Sequence, residues 1–449
     1  MSKDLSAFKD KLFKAAKDKG FSDWELYAAG SESFTLRIFK GEINEYKNSL
    51  NAGISFRGTY KGRMGYAYSE RMDDDVIPFL VDNASQNAEI IEDADIEDLY
   101  TGDKSYEDVL TYDADLSKIP AEDKISKALE MDKIAWGLDK RIAGIDFCGV
   151  GTGEGYRFIA NSHGLNLSDK SNSAQAFIMA RVMENGQFKA DREVWTGHKW
   201  DEFVPEKLAH NAVNSALSLL GAKPVPTGIY DILLERDDAS SFLAAFSGVF
   251  SAERVQKGFS LLKGKIGEEI AVPGITIRDD ALLPFKADSC SFDDEGVAAK
   301  NKVIVEQGIL RSFLHNRKTA KKDGIASTGN GFKAGYKASL DISPTNFYIV
   351  PSDSSKEDLI KEIGKGLIIK DLSGLHAGIN PVSGDFSIIC GGYVIENGEK
   401  SRPVEQITMA GNFFTVLKNI VKTANDLDQV RSKVASPSLW IKGINISGT

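Results

Sequence analysis

The sequence predicts an α+β protein: an N-terminal antiparallel sheet with helices, then a C-terminal β-rich domain of barrel-like curvature. Three observations carry this reading. Apolar–polar alternation recurs near the N-terminus in short runs with short connections, which makes an antiparallel meander. Helix-spaced segments follow those runs in blocks, the pattern of a sheet with helices packed on it. Between residues 221 and 228, Gly-Ala-Lys-Pro-Val-Pro-Thr-Gly places two prolines and two glycines in eight positions, which cannot continue a helix. The expected organisation is an N-terminal domain over 1–221, a linker over 222–229 and a C-terminal domain over 230–449.

In order, Leu5, Phe8, Leu12 and Ala16 fall on one helical face, and Gly20 is placed to end that helix. Strands are expected over Phe34–Lys40, Asn51–Arg57 and Met64–Tyr68. Helices are expected over Asp74–Ile91 and Ala121–Asp139; the second follows Pro120 and spaces Ile125, Leu129 and Ile134 for burial. From Arg141 to Val194 the chain returns to strands, with turns at Asn161–Gly164 and Glu184–Gly186, and a helix over Pro205–Leu220 closes this half. The second half opens with the strand Ile229–Leu234, then a helix near Ala239–Lys257 with Phe242, Phe246 and Phe250 on one face. Short strands and glycine turns follow, interrupted by helices near Lys356–Gly364 and Phe413–Leu427.

The stretch Asp371–Asn412 stands out. Phe386–Cys390 and Gly392–Ile395 are apolar runs, and Glu396-Asn397-Gly398-Glu399 supplies an Asn-Gly hairpin turn. Gly374, Gly378, Gly384, Gly391 and Gly392 mark sharp bends or close backbone packing.

Composition bounds the function. Of 449 residues, 42% are hydrophobic and 27% charged, an ordinary globular balance. No apolar run approaches the ~20 residues of a membrane helix, and Met1–Lys17 has no signal-peptide core, so a cytoplasmic protein with no membrane contact is expected. A net charge of −10 argues against direct nucleic-acid binding. Cys148, Cys290 and Cys390, odd in number and far apart, fit reduced thiols.

The run Leu372-Ser-Gly-Leu-His-Ala-Gly-Ile-Asn-Pro-Val-Ser-Gly-Asp-Phe-Ser387, followed by Gly392–Glu399, Pro403-Val404 and Ala410-Gly411-Asn412, resembles the TldD/PmbA family. That family is also called peptidase U62 and modulator of DNA gyrase. Ser289–Gly296, Ser327–Asn330, Thr345-Asn346 and Ser436–Gly443 extend the resemblance; Tyr46, Gly65–Ala67 and Asn161–Gly164 follow it more loosely. It implies a place in a zinc metalloprotease system in which the TldD-type subunit holds zinc through a His-Glu-x-x-x-His helix and a late cysteine. Such a site needs neutral imidazoles and a thiolate for the metal, and a carboxylate to take a proton from bound water. Aligned on Lys257–Ser260 and Gly264–Glu268, the two histidines fall on Leu243 and Gly248 and the glutamate on Ala244. None can bind metal or move a proton, and no cysteine follows Cys390.

The pattern is that of the PmbA branch, also called TldE, which the family pairs with TldD. The resemblance therefore implies a non-catalytic subunit in a heterodimer with a TldD-like protease, acting on unfolded peptide. No catalytic residue and no zinc are expected in this chain, the zinc belonging to the partner. A homodimer in isolation stays open. So do a self-sufficient metallopeptidase with dispersed ligands and a peptide-binding scaffold without proteolytic role.

The five histidines, His163, His198, His210, His315 and His376, form no HExxH or HxH, and no CxxC exists. His376, Asn380 and Asp385 are the substrate-cleft candidates, because the resemblance places their loop near the cleft. Asp293-Asp294-Glu295 reads as an exposed turn before a strand, with cation binding or a general base as the sharper alternative. Gly149–Gly155 reads as a strand-end loop, since Glu154 stands where a dinucleotide motif needs its third glycine. Cys390 reads as a small core residue.

Overall fold

The computed structural model describes residues 2–90 and 98–449. The first half runs α1 (Ser2–Lys19), β1 (Asp23–Phe39), β2 (Glu42–Tyr60), β3 (Arg63–Ser69), α2 (Val76–Ile90), α3 (Ala121–Gly137), β4 (Ile142–Asn161), β5 (Asn166–Glu184), β6 (Gln187–Gly197) and α4 (Pro205–Ser218). The second half runs β7 (Gly228–Leu234), α5 (Arg236–Phe246), α6 (Ala252–Gln256), β8 (Ile277–Asp280), β9 (Asn301–Glu306), β10 (Ile309–Leu310), α7 (Arg317–Asp323), β11 (Gly331–Lys333), β12 (Leu340–Ile342) and β13 (Phe347–Ile349). It ends with α8 (Lys356–Ile363), β14 (Gly366–Ser373), β15 (Asp385–Glu396), β16 (Glu399–Asn412), α9 (Phe413–Asn419), β17 (Ile420–Thr423), β18 (Val434–Ala435) and β19 (Leu439–Ser447).

The first half is one antiparallel sheet in the order β3-β2-β1-β4-β5-β6. Strand alternation decides its two faces. Leu26, Ala28, Phe34, Leu36 and Ile38 of β1 point to the helices: α1 and α2 pack over Leu26, Ile54 and Phe56, and α3 and α4 over Leu36, Val150 and Ile178. Tyr27 points the other way, into a cluster with Ile159, Phe292 and Tyr336 that joins the halves. The strands run longer than their apolar cores, because residues buried on one face need only a polar neighbour between them. The helix expected to start at Asp74 starts at Val76, and its expected end, Ile91, lies outside the described residues. The Gly149–Gly155 run is no strand-end loop but the middle of β4. A Cβ on Gly149 would lie 2.2 Å from the Leu36 carbonyl oxygen, so close strand approach requires glycine there.

The second half is built on a closed barrel. β16, β15, β14, β7 and β19 pair in sequence, and β19 returns to β16 through Thr408↔Ser447, Met409↔Ile446 and Ala410↔Asn445. The two apolar runs of the glycine-rich stretch are one strand, β15, which turns into β16 at Asn397 (φ 54°) and Gly398 (φ 76°), the left-handed pair of a type I′ hairpin. Gly392 lets β15 cross β14: a Cβ there would sit 1.9 Å from the Ile368 carbonyl oxygen. Beside the barrel lies a smaller sheet, β10-β9-β8-β13-β18.

Two helices differ from expectation. The one read over Ala239–Lys257 breaks into α5, a 3₁₀ turn at Ser247–Phe250 and α6. Phe246 stacks on Phe413 while Phe250 packs on Phe347, and Gly248 lies in the turn between them. The one read over Phe413–Leu427 stops at Asn419, because β-branched Ile420 and Val421 continue as a strand beside β19.

Candidate functional site

The site that the sequence points to is the end of the barrel where α5 leaves β7 and the 374–384 loop joins β14 to β15. α5 buries Ala239, Phe242, Leu243 and Phe246. Phe242 meets Phe386 at 5.0 Å between ring centroids, and Phe246 stacks on Phe413 at 4.6 Å. This aromatic wall fixes the positions of Leu243, Ala244 and Gly248, the residues that the resemblance sets against the protease motif. Leu243 is 2% exposed inside the barrel core, Ala244 faces solvent, and a Cβ on Gly248 would lie 3.0 Å from Arg254 Nε. A zinc ion needs converging nitrogen, sulfur or oxygen donors; these positions offer an isobutyl group, a methyl and a hydrogen. Cys390 points into the same core, and burial pushes its thiol up to about 12, which fits its reading as a core residue. The zinc site of the resembled protease does not fit the residues present.

The loop candidates separate into two kinds. Asn380 and Asp385 hold the loop itself: the Asn380 N–H donates to the Asp385 carbonyl at 2.8 Å, and Asn380 Oδ1 accepts from the N–H groups of Val382 and Ser383. The Asp385 carboxylate accepts from Asn412 Nδ2 at 2.9 Å and Ser383 Oγ at 2.7 Å, and these bonds hold it below the ordinary carboxylate range. Asn412 also caps α9 through the Phe414 N–H. His376 sits exposed in the turn above them, and among the described residues no side chain or carbonyl engages its imidazole. So the structure brings Asn380 and Asp385 together and leaves His376 at the rim.

A residue that the sequence reading passed over anchors this end. Asp238, in the first turn of α5, accepts the N–H groups of Asp371 at 3.0 Å and Leu372 at 2.7 Å. It thereby fixes a bulge at which Asp371 takes φ 72°. Burial raises its carboxyl to about 6, against the pull of those two donors. The acidic pair Asp237-Asp238 at a helix start was the available signal.

Asp293-Asp294-Glu295 requires a correction. The three are buried, not an exposed turn. Asp293 accepts from the N–H groups of Glu295, Val297 and Gly331; Asp294 accepts Arg157 Nη1 at 3.1 Å and the Lys333 N–H; Glu295 accepts the Arg317 N–H. Burial, and then the Glu295 charge, push the Asp293 carboxyl upward. Arg157 comes from β4, so the turn is the seam between the halves. Backbone N–H groups and the Arg157 guanidinium hold these carboxylates, the bonding of a structural seam. The Thr328–Asn330 and Thr345-Asn346 motifs play a similar part: Asn330 Nδ2 and the Thr345 N–H both donate to buried Asp279, which also pairs with Lys302 at 2.9 Å.

The other histidines do not converge. His315 is buried, His198 packs on Phe285 and His210 lies near Glu206, and burial lowers the first two. Among the described residues no group of three or more His, Cys, Asp and Glu is placed to hold a metal. Among the described residues, hollows open to solvent lie between the halves. One of about 1580 Å³ lies between β3 and α7, with Tyr66, Tyr100, Arg317 and Leu340 on its walls. One of about 710 Å³ lies on the sheet face opposite the helices, beside Arg157 and His198.

Residues 24–88, 114–220 and 227–448 match, in order, the models of PmbA/TldA metallopeptidase domain 1, the central domain and the C-terminal domain. An uncharacterized protein of Methanocaldococcus jannaschii is 29% identical over 448 residues, covering 97% of this chain and 98% of that one. Metalloprotease PmbA of Escherichia coli O157:H7 is 28% identical over 350 residues, 76% of this chain and 74% of that one. A Thermotoga maritima crystal structure with the working name modulator of a DNA gyrase superposes with a TM-score of 0.91 at 30% identity, covering 98% of this chain and 100% of that one. TldE from Thermococcus kodakarensis shares the fold, with a TM-score of 0.90 at 21% identity over 98% of this chain and 100% of that one.

Proposed function

The chain belongs to the PmbA/TldD family of metallopeptidases, and from that membership we propose that it is a TldE-like, non-catalytic subunit. Its partner is a TldD-like subunit that holds the zinc, and together they process unfolded peptides in the cytoplasm. The observation that carries this reading is Leu243. The resemblance sets Leu243 against the first histidine of the protease motif, and its side chain is part of the core beside Phe242 and Phe246. An imidazole there would be buried away from water and from any second ligand.

This chain's part in the work is positioning. The hydrogen-bonded 374–384 loop presents His376 at the barrel end, and extended peptide is held through main-chain bonds, which tolerate many sequences. The Asp238 and Asp385 bonds keep that surface fixed before a peptide arrives.

The test is the zinc content of the purified chain after growth with added zinc, followed by peptide cleavage with and without a TldD-like partner. The expected result is far less than the roughly one equivalent that a structural or catalytic site retains, and cleavage only in the mixture. A full equivalent surviving dialysis, with chelator-sensitive cleavage by the chain alone, overturns the reading in favour of the self-sufficient peptidase. Zinc-free chain that changes nothing when mixed overturns it in favour of the scaffold.

A further inference from the structure

An asparagine followed by glycine is open to attack by the backbone on its own side-chain amide, because glycine has no side chain to shield its nitrogen. The chain has three such pairs, Asn185-Gly186, Asn330-Gly331 and Asn397-Gly398. Their chemistry is the same, but the fold holds them differently. Asn330 is fully buried; its Nδ2 donates to Asp279 at 2.8 Å and to the Ser343 carbonyl at 3.0 Å, and the Gly331 N–H donates to Asp293 at 2.9 Å. Both reacting groups are held there. Asn397 is exposed at the β15–β16 turn, but the Gly398 N–H donates to the Gly364 carbonyl at 2.8 Å and Lys361 of α8 packs over the glycine.

Asn185 stands at the β5–β6 turn with the same backbone, φ 51° followed by φ 78° at Gly186, where Glu184 pairs with Gln187. Both turn residues are exposed. Among the described residues nothing accepts the Gly186 N–H and nothing bonds the Asn185 amide. The nitrogen is open to base and the side chain is free to turn toward it. This turn also leads into a contact between the halves. Gln187 Oε1 accepts the N–H of Gly221 at 2.8 Å, and Lys189 pairs with Glu405 of β16.

We propose that Asn185 is a site of spontaneous deamidation, and that its isoaspartate product loosens the hold of the β5–β6 hairpin on the linker and the second half. Solvent base removes the Gly186 N–H proton. The nitrogen bonds to Asn185 Cγ, and the Cγ–Nδ2 bond breaks with release of ammonia. Water then opens the cyclic imide. Opening at the Cγ–N bond gives aspartate, and opening at the original peptide C–N bond gives isoaspartate. In isoaspartate the main chain runs through Cβ and Cγ and is one atom longer. A two-residue turn sets the register of its hairpin by its length, so the extra atom moves Gln187 off Glu184 and away from the Gly221 N–H. Either product adds a carboxylate beside Glu184, which pairs with Arg141 at 3.1 Å. This goes beyond the subunit reading and does not depend on it.

The experiment ages the full folded chain in mildly alkaline buffer and maps its digest by mass spectrometry, with isoaspartyl methyltransferase labelling to separate isoaspartate from aspartate. Asn185 converts first, and faster as pH rises. It runs roughly tenfold or more ahead of Asn397, whose glycine bond must open before reaction, and Asn330 stays intact. In urea the three sites converge. Asn397 or Asn330 converting as fast as Asn185 in the folded chain overturns the proposal, as does an Asn185 that stays intact there. A spread of rates that persists in urea overturns the assignment to the fold. Hydrogen exchange on the isolated isoaspartate form reads the consequence: the Gly221 amide exchanges faster, while β14 and β15 are unchanged. Unchanged exchange at Gly221 overturns the loosening. Asn185→Gln, whose longer side chain closes its ring far more slowly, neither converts nor loosens on ageing; loosening that persists in this variant overturns the link to Asn185.

Discussion

The open sheet of the first half and the closed barrel of the second are made of similar strands but end differently. In the barrel, β19 finds β16, so every strand of the ring is bonded on both sides. In the sheet, β6 is covered by the second half through Lys189–Glu405 and Lys370–Asp191, whereas β2, from Glu42 to Gly53, pairs with β1 alone among the described strands. The difference locates the two kinds of work. Closure gives a rigid frame on which the α5 and 374–384 surfaces can be held, and an open edge gives a surface that can still acquire a neighbour. The Arg157–Asp294 pair joins the two halves.

The largest expected effect tests the rigidity of the barrel. Phe246→Ala removes the ring stacked on Phe413 and opens a cavity at the centre of the wall. A loss of about 3–5 kcal/mol is expected in urea denaturation. Hydrogen exchange should show the loss across β14, β15 and β16 together; exchange confined to α5 would mean that the barrel is not one cooperative unit.

Next is the seam. Arg157→Leu leaves Asp294 buried without its cation, and removing one partner of a buried pair costs about 3–5 kcal/mol. Because Arg157 also donates to the Phe292 carbonyl, faster proteolysis between the halves should accompany it, with barrel amides still protected. Equal loss in both halves would mean that they unfold as one.

The pH dependence is smaller. Asp238 has its folded carboxyl raised to about 6, above the roughly 3.9 of an unfolded aspartate. A raised acid is favoured protonated in the fold, so its contribution is most favourable below about 4 and declines as pH rises through about 6. The slope is at most about 1.4 kcal/mol per pH unit in that window. Denaturation between pH 4 and 6 should show this decline, and Asp238→Asn should flatten it; an unchanged slope in the variant assigns the titration elsewhere.

The smallest effect is at the open edge. Lys47→Glu should alter stability by no more than about 0.5 kcal/mol in thermal melting, as exposed substitutions do. A large stability loss would mean that β2 is held by more than β1.

How much could be read in advance follows contact distance. The Asn397-Gly398 hairpin and the Gly20 stop (φ 97°) are local: a few neighbouring residues fix their dihedrals, and each stands where the sequence puts it. The burial of Asp293–Glu295 was not legible, because Arg157 stands 137 positions from Asp294. A run of acids beside glycine has the same composition whether water or a distant sheet covers it. The Gly149–Gly155 run misled for a related reason: a glycine needed for strand crossing and one needed for a turn look alike until the neighbouring strand is placed.

The sequence by itself determined the α+β class, the family's motifs and the chemical incapacity of Leu243, Ala244 and Gly248, since side-chain identity alone decides whether a donor atom exists. The tertiary structure alone decided that β19 closes the barrel on β16, that Asp238 pins the bulge at Asp371, and that β2 has no second neighbour before Ile54 among the described residues. Each of these depends on segments far apart in the chain meeting at hydrogen-bond distance, and no local run of residues encodes which distant backbone will arrive.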